Sequence, residues 1–124
     1  MEKGFAYLET GKYKKAATFF NKIIASYPKN KTAKICYGRA SGLGGKTEVA
    51  MLIFSDLLKK NPQDFEIKLN YAESLLWHKK YQKATGYYKK LVKKAPQSFP
   101  ALLGYANTLS NLKVFDQALL YVNK

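Results

Sequence analysis

An all-α solenoid of antiparallel helix pairs is predicted by three features of the sequence. Apolar residues recur at helical spacing in paired stretches: Ile67, Tyr71, Ala72 and Leu75 stand at i, i+4, i+5 and i+8, and after the polar break His78-Lys79-Lys80 a second face is formed by Ala84, Tyr87, Tyr88, Leu91 and Val92. The stop signals fall where such helices should end, because proline has no amide proton and biases the residue before it away from the helical region. The whole unit also recurs every 34 residues: Pro28, Pro62 and Pro96 keep that spacing, as do Tyr37, Tyr71 and Tyr105. Helices joined by so few residues must lie antiparallel.

The period extends over the full chain. Ala16, Ala50, Ala84 and Ala118 are each followed four positions later by Phe20, Phe54, Tyr88 or Val122, and Gly4, Gly38, Ala72 and Ala106 keep a small residue in the first helix of each unit. This pattern resembles the tetratricopeptide repeat (TPR) family, in which alanine, an aromatic residue four positions on, and a following proline recur with this period. The resemblance implies a right-handed superhelix of helix-turn-helix repeats occupying 1–124 as a single solenoid. Its parts would be a partial repeat at 1–30, full repeats at 31–64 and 65–98, and a truncated repeat at 99–124. Because the chain begins and ends inside repeats, it is expected to be a piece of a longer array. The family's early tryptophan is replaced by Lys34, Lys68 and Leu102, and a further helix B alanine by Ile23, Leu57 and Leu91; these departures bear on curvature and not on fold.

Each element has its own justification. Residues 1–9 carry the end of a first helix, closed by Gly11, and a second helix from Tyr13 to about Tyr27 buries Ala16, Phe19, Phe20, Ile23 and Ile24 before Pro28. Asn30 is placed to cap the next helix, which runs to about Leu43 and breaks at Gly44-Gly45. From Thr47 a helix turns Ala50, Ile53, Phe54, Leu57 and Leu58 inward and ends at Asn61-Pro62. Asp64 caps the helix from Phe65 to Trp77, and Tyr81 to Lys94 follows. Ser98 can cap a last first-type helix that tolerates Pro100 in its opening turn. That helix is expected to end near Asn111, with a partner starting at Phe115. Close approach of the two helices of a pair is expected where Ala72 meets Ala84.

Composition excludes several classes of function. At 124 residues and 47% apolar the chain suffices for about one domain, and stacking shares the core between neighbouring repeats. No apolar run is long enough to cross a bilayer, and Met1 leads at once into repeat sequence, so no leader or anchor is visible within this stretch, which leaves open one in a longer parent protein. One cysteine, Cys36, rules out an internal disulfide and reads as a small apolar helix residue. The sequon Asn30-Lys31-Thr32 carries no weight outside a secreted eukaryotic protein. For compartment, the cytoplasm is favoured and the periplasm stays open.

Candidate chemistry is sparse. Ala40 to Thr47 (ASGLGGKT) approximates a phosphate-binding loop, but that loop needs a strand before it; here a helix precedes it, and Gly45 holds the turn phase of Gly11. His78 is the single histidine, so neither a metal cluster nor a triad can be built around it, and the eight carboxylates are scattered. No enzyme, cofactor or metal is called for.

The opposite face of each first helix is more informative. Leu69, Glu73, Leu76 and Trp77 remain outside once the inner face is buried, matched by Ile35, Arg39, Gly42 and Leu43 in the preceding repeat and by Leu103, Asn107, Ser110 and Asn111 in the following one. In the TPR resemblance this side lines a concave groove that grips a peptide or partner helix, so the expected function is a protein-interaction scaffold. Trp77 could equally pack on an adjacent repeat. The subtype that clamps a terminal carboxylate is argued against, because only Asn70 matches it while Ile35, Pro100 and Gly104 stand where it needs polar groups.

The alternative rests on charge. Twenty-one lysines and one arginine against eight acids give +14, and Lys14, Lys15, Lys22, Lys59, Lys60, Lys83, Lys90 and Lys94 fall on the outer side of second helices. They would serve solubility or bind a polyanion, either nucleic acid or an acidic protein. Weak self-association is also expected where the last repeat exposes Leu119, Leu120 and Val122.

Overall fold

A computed structural model describes the backbone of residues 1–123 and the side chains of residues 1–113. Among these, seven helices follow one another without a strand: α1 (Glu2–Glu9), α2 (Tyr13–Ser26), α3 (Lys31–Leu43), α4 (Thr47–Lys60), α5 (Phe65–Trp77), α6 (Tyr81–Lys94) and α7 (Phe99–Asn123). Each packs on the next, and α3 also lies against α5, and α5 against α7. The second helices α2, α4 and α6 make no comparable contact with one another. The first helices α3, α5 and α7 therefore form an inner layer of this all-α solenoid.

Caps and turns set the helix boundaries. Asn30, Asp64 and Ser98, one period apart, accept from the backbone amides of Ala33 (3.0 Å), Ile67 (3.1 Å) and Ala101 (3.3 Å), satisfying donors orphaned at a helix start. Within each pair the central turn residue is left-handed: Gly11 at φ 77°, Gly45 at φ 97° and Lys79 at φ 61°. Over it the amides of Lys12, Lys46 and Lys80 donate to the carbonyls of Tyr7, Ser41 and Leu75, each at 2.8 Å. The amides of Gly11, Gly45 and Lys79 donate to Leu8, Gly42 and Leu76. These bonds use the last helical carbonyls and reverse the chain. The loop-like run at Ala40 to Thr47 is such a turn, its amides spent on its own helix.

Two stretches of core run through the layers. One gathers Ala16, Phe20, Ala33, Cys36 and Ala40; the other centres on Phe54, Ile67, Tyr71, Leu75 and Tyr88. Phe20, Phe54 and Ile67 are fully buried, and each such side chain contributes about 1.5–3 kcal/mol by leaving water. Ala72 and Ala84 are both solvent-free and belong to the second of these stretches.

The expected break near Asn111 is absent, since α7 continues to Asn123 as one helix of 25 residues. Lys113 holds the phase of Gly11, Gly45 and Lys79; like Lys79 it lacks glycine's freedom at a left-handed turn, and it stands between apolar Leu112 and Val114 where Lys79 stands between polar His78 and Lys80. Ala106 and Leu109 are consequently exposed, although Ala72 and Leu75 at the same phases are fully buried. The expected positions of Ala118, Leu119, Leu120 and Val122 lie outside the described side chains.

Candidate functional site

The inner layer brings together one face each of α3, α5 and α7. Leu43 and Leu103 are exposed there, at 37% and 48%, and Leu69, Leu76 and Trp77 are half-buried between them. Asn107, Ser110 and Asn111 stand exposed along α7, where the Asn111 amide donates to the Asn107 carbonyl at 2.8 Å. Ile35 departs from expectation. It is only 4% exposed and joins the core of Phe54, Ile67 and Tyr71, because its angle on α3 turns it between neighbouring helices and not into the groove.

A polar cluster occupies the middle of this surface. Arg39 donates through Nη1 to the Glu73 carboxylate and to Asn70 Oδ1, the latter at 2.9 Å. Asn70 is buried and its Nδ2 donates to the Glu66 carbonyl at 2.8 Å. Both ion-pair partners are about a third exposed, so the pair contributes at most about 1 kcal/mol to stability. Its larger effect is to neutralise the groove. Sequence reading named Arg39 and Glu73 but missed their pairing, for which the signal was opposite charges at one phase in consecutive repeats.

Trp77 lies across Gly42 of the preceding repeat. A methyl group at Gly42 would collide with the indole and come within 3.1 Å of the Ala50 Cβ. The Arg39 guanidinium sits 5.7 Å from the ring centroid, within cation–π range. Trp77 is thus a wedge between repeats that stays half-buried on this surface. On α6 the Tyr88 phenol is pushed above its ordinary pKa by burial and by the Glu73 carboxylate, with Arg39 opposing.

Other singled-out residues have structural duties. His78 Nδ1 lies 2.8 Å from Thr47 Oγ1, tying the third turn to the start of α4. Cys36 is buried, and desolvation raises its thiol pKa, which disfavours the reactive thiolate. Among the described residues no group of His, Cys, Asp and Glu is placed to hold a metal, and no helix is long and apolar enough to cross a membrane.

The lysines of the outer face divide into groups. Lys14, Lys15 and Lys22 line a cleft of about 890 Å³ between α1 and α2, together with Lys3 and Lys12. Lys83, Lys90 and Lys94 line another of about 540 Å³ along α5 and α6, with Lys68. Lys59 and Lys60 line neither; Lys60 lies 3.5 Å from Asp56 on its own helix. Lys3, Lys12 and Lys68 had gone unnoticed because they belong to first helices or turns.

Family models of the tetratricopeptide repeat match residues 1–30 and 44–99. The chain belongs to the tetratricopeptide repeat family. A search of curated proteins found no match. Among solved structures, the first TPR domain of human RPAP3 is similar with a TM-score of 0.77 at 20% identity, over 94% of this chain and 91% of that one. A tetratricopeptide repeat protein from Parabacteroides merdae superposes with a TM-score of 0.81 at 18% identity, over 96% of this chain and 46% of that one. The first TPR of Spaghetti (RPAP3), bound to the HSP90 peptide SRMEEVD, gives 0.73 at 20% identity, over 90% and 89% of the two chains. At these identities the likeness is one of fold.

Proposed function

We propose that this TPR solenoid is a protein-interaction scaffold that binds a peptide or partner helix along the surface of α3, α5 and α7. The observation that carries the reading is the line of Leu43, Leu69, Leu76, Trp77 and Leu103 around a self-neutralised polar centre. An apolar strip with isolated hydrogen-bonding groups suits an amphipathic helix or an extended peptide with alternate apolar anchors. That a TPR domain of similar fold is bound to a peptide supports the class of ligand. The chemistry of the ligand should differ from SRMEEVD, however. Among the described residues Arg39 is already held by Glu73 and Asn70, Ile35 is in the core, and Gly104 offers no side chain, so these three positions offer an acidic C-terminus no free cation.

Selection from a displayed peptide library tests this. Binders enriched on the parent chain should weaken at least tenfold on Leu69→Lys and Leu103→Lys and be unaffected by Lys59→Gln. Failure to enrich any peptide, or binders indifferent to both groove substitutions, would overturn the assignment.

A further inference from the structure

The two lysine clefts are equivalent positions of the solenoid. Lys15, Phe19 and Lys22 on α2 recur 68 residues later, two periods on, as Lys83, Tyr87 and Lys90 on α6. Each triplet places a cation, an aromatic ring and a second cation at i, i+4 and i+7, which is one face of a helix. In both cases the face opens into a cleft: the first holds five lysines around Tyr7, Tyr13 and Phe19, the second four lysines around Tyr87. Among the described residues no acidic side chain lines either one. In the second, nothing stands within 4 Å of where a side chain on Gly86 would begin, so the wall beside Tyr87 is open. The repeat between them breaks the pattern with Val49, Ile53 and Asp56 at the same phases.

Solubility alone would not concentrate lysines in hollows that half-buried aromatic rings also line while lining neither hollow with Lys59 and Lys60. The first cleft also runs on, through Tyr13, Lys14 and Thr18, into a hollow edged by Tyr37 and Lys46. The second shares Lys83 with a hollow edged by Lys79, Lys80 and Tyr81. Cationic troughs studded with aromatic rings suit a strand that offers phosphates and unpaired bases together. An acidic polypeptide would use the cations and leave the rings idle. Lysine acts as a point charge without arginine's fork, and the one arginine is engaged elsewhere, so such contacts would not read sequence.

We propose that the α2 and α6 clefts bind single-stranded nucleic acid without sequence preference. This surface shares no residue with the α3–α5–α7 groove.

Fluorescence anisotropy with a labelled oligothymidylate of about 20 nucleotides, above the site size of small single-strand modules, tests the proposal. The parent chain should bind with an affinity that falls steeply between about 50 and about 200 mM salt. Replacing Lys15, Lys22, Lys83 and Lys90 by Gln should weaken binding more than tenfold and reduce the salt slope by about 3, at about 0.7 per lost phosphate contact on a single strand. The same loss of charge at Lys29, Lys59, Lys89 and Lys93 should do far less, and Tyr87→Leu should weaken the oligonucleotide while leaving helicity intact. Three results would each overturn the proposal: no binding at about 50 mM salt, equal weakening by both quadruple variants, or displacement by polyglutamate as effective as by unlabelled strand. The last would reassign the clefts to an acidic protein.

Discussion

The ring of Tyr88 occupies the space that a side chain on Gly104 would fill. A methyl group there would lie 2.7 Å from the phenol oxygen and closer still to the ring. In the two earlier repeats the equivalent aromatic presses on a glycine of its own first helix: a methyl on Gly4 would stand 2.5 Å from Phe20, and one on Gly38 would stand 2.7 Å from Phe54. Ala72 already carries that methyl, and Tyr88 instead leans forward onto the next repeat, where Gly104 receives it. Gly104→Ala should therefore destabilise the fold. Overpacking of about 1–3 kcal/mol outweighs a helix-propensity gain of up to about 1 kcal/mol. In a double-mutant cycle, Gly104→Ala made on a Tyr88→Leu background should lose its penalty; additive effects on the urea midpoint would show that the two residues do not compete for space.

Lys79 provides a test of the turn. It occupies at φ 61° the left-handed position that glycine holds at residues 11 and 45, and a side chain there costs roughly 1–2 kcal/mol. Glycine would relieve this but adds unfolded-state entropy of about 0.5–1 kcal/mol. Lys79→Gly should hence raise stability, by up to about 1.5 kcal/mol, with the urea m-value unchanged. A lower midpoint would mean that the lysine side chain makes a compensating contact.

The same turns explain how far the sequence could be read. The first six helices were legible to within about a residue, because caps at Asn30, Asp64 and Ser98 and prolines at 28, 62 and 96 mark their ends independently of any packing. The break after Asn111 was inferred from phase alone. There Leu112-Lys113-Val114 replaces the polar His78-Lys79-Lys80 of the preceding turn and has no glycine, and helix propagation prevails. In the groove, spacing along one helix could place Leu69, Glu73 and Leu103 outward. It could not decide Ile35 or Trp77, whose burial depends on the angle of the neighbouring helix. Arg39 with Glu73 and Tyr88 with Gly104 are contacts between repeats, which a pattern within one repeat does not contain.

Asp64 joins a cap to a contact between repeats. It accepts from the Ile67 amide, and its Oδ2 meets Lys31 Nζ at 2.6 Å. The lysine hydrogen bond is the main cause holding the Asp64 carboxyl below its ordinary value, and its counterpart raises Lys31. A depressed carboxylate stabilises the fold above its unfolded pKa of about 3.9, and that contribution disappears as pH falls through the lower folded value. The raised lysine contributes below its unfolded pKa of about 10.4 and loses that contribution as pH rises through the higher folded one. Asp64→Asn keeps a capping side chain but removes the charge. The stability difference between parent and variant should be largest between about pH 4 and pH 10 and shrink on either side. Parallel urea midpoints from pH 2.5 to pH 7 would show that Lys31 is immaterial.

The exposed face of α7 leads to the last prediction. Leu109 is 42% exposed, where Leu75 at the same phase is 0% exposed, and Leu102 and Ala106 are exposed along the same helix. In the preceding repeats the second helix of the pair covers this phase. Uncovered, it offers a second copy of the chain an apolar strip worth about 25 cal/mol per Å² buried, before the entropy of association is subtracted. The net charge of +14 opposes contact between copies, and salt screens that repulsion within about 10 Å at 0.1 M. Self-association should accordingly rise with concentration and be stronger at high salt, the reverse of the salt response expected for a nucleic acid bound in the clefts. Leu109→Lys should abolish it without loss of helicity. Sedimentation across a concentration series at low and high salt decides the matter. A strictly monomeric species throughout would mean that the Ala106–Leu109 face is covered within the same chain.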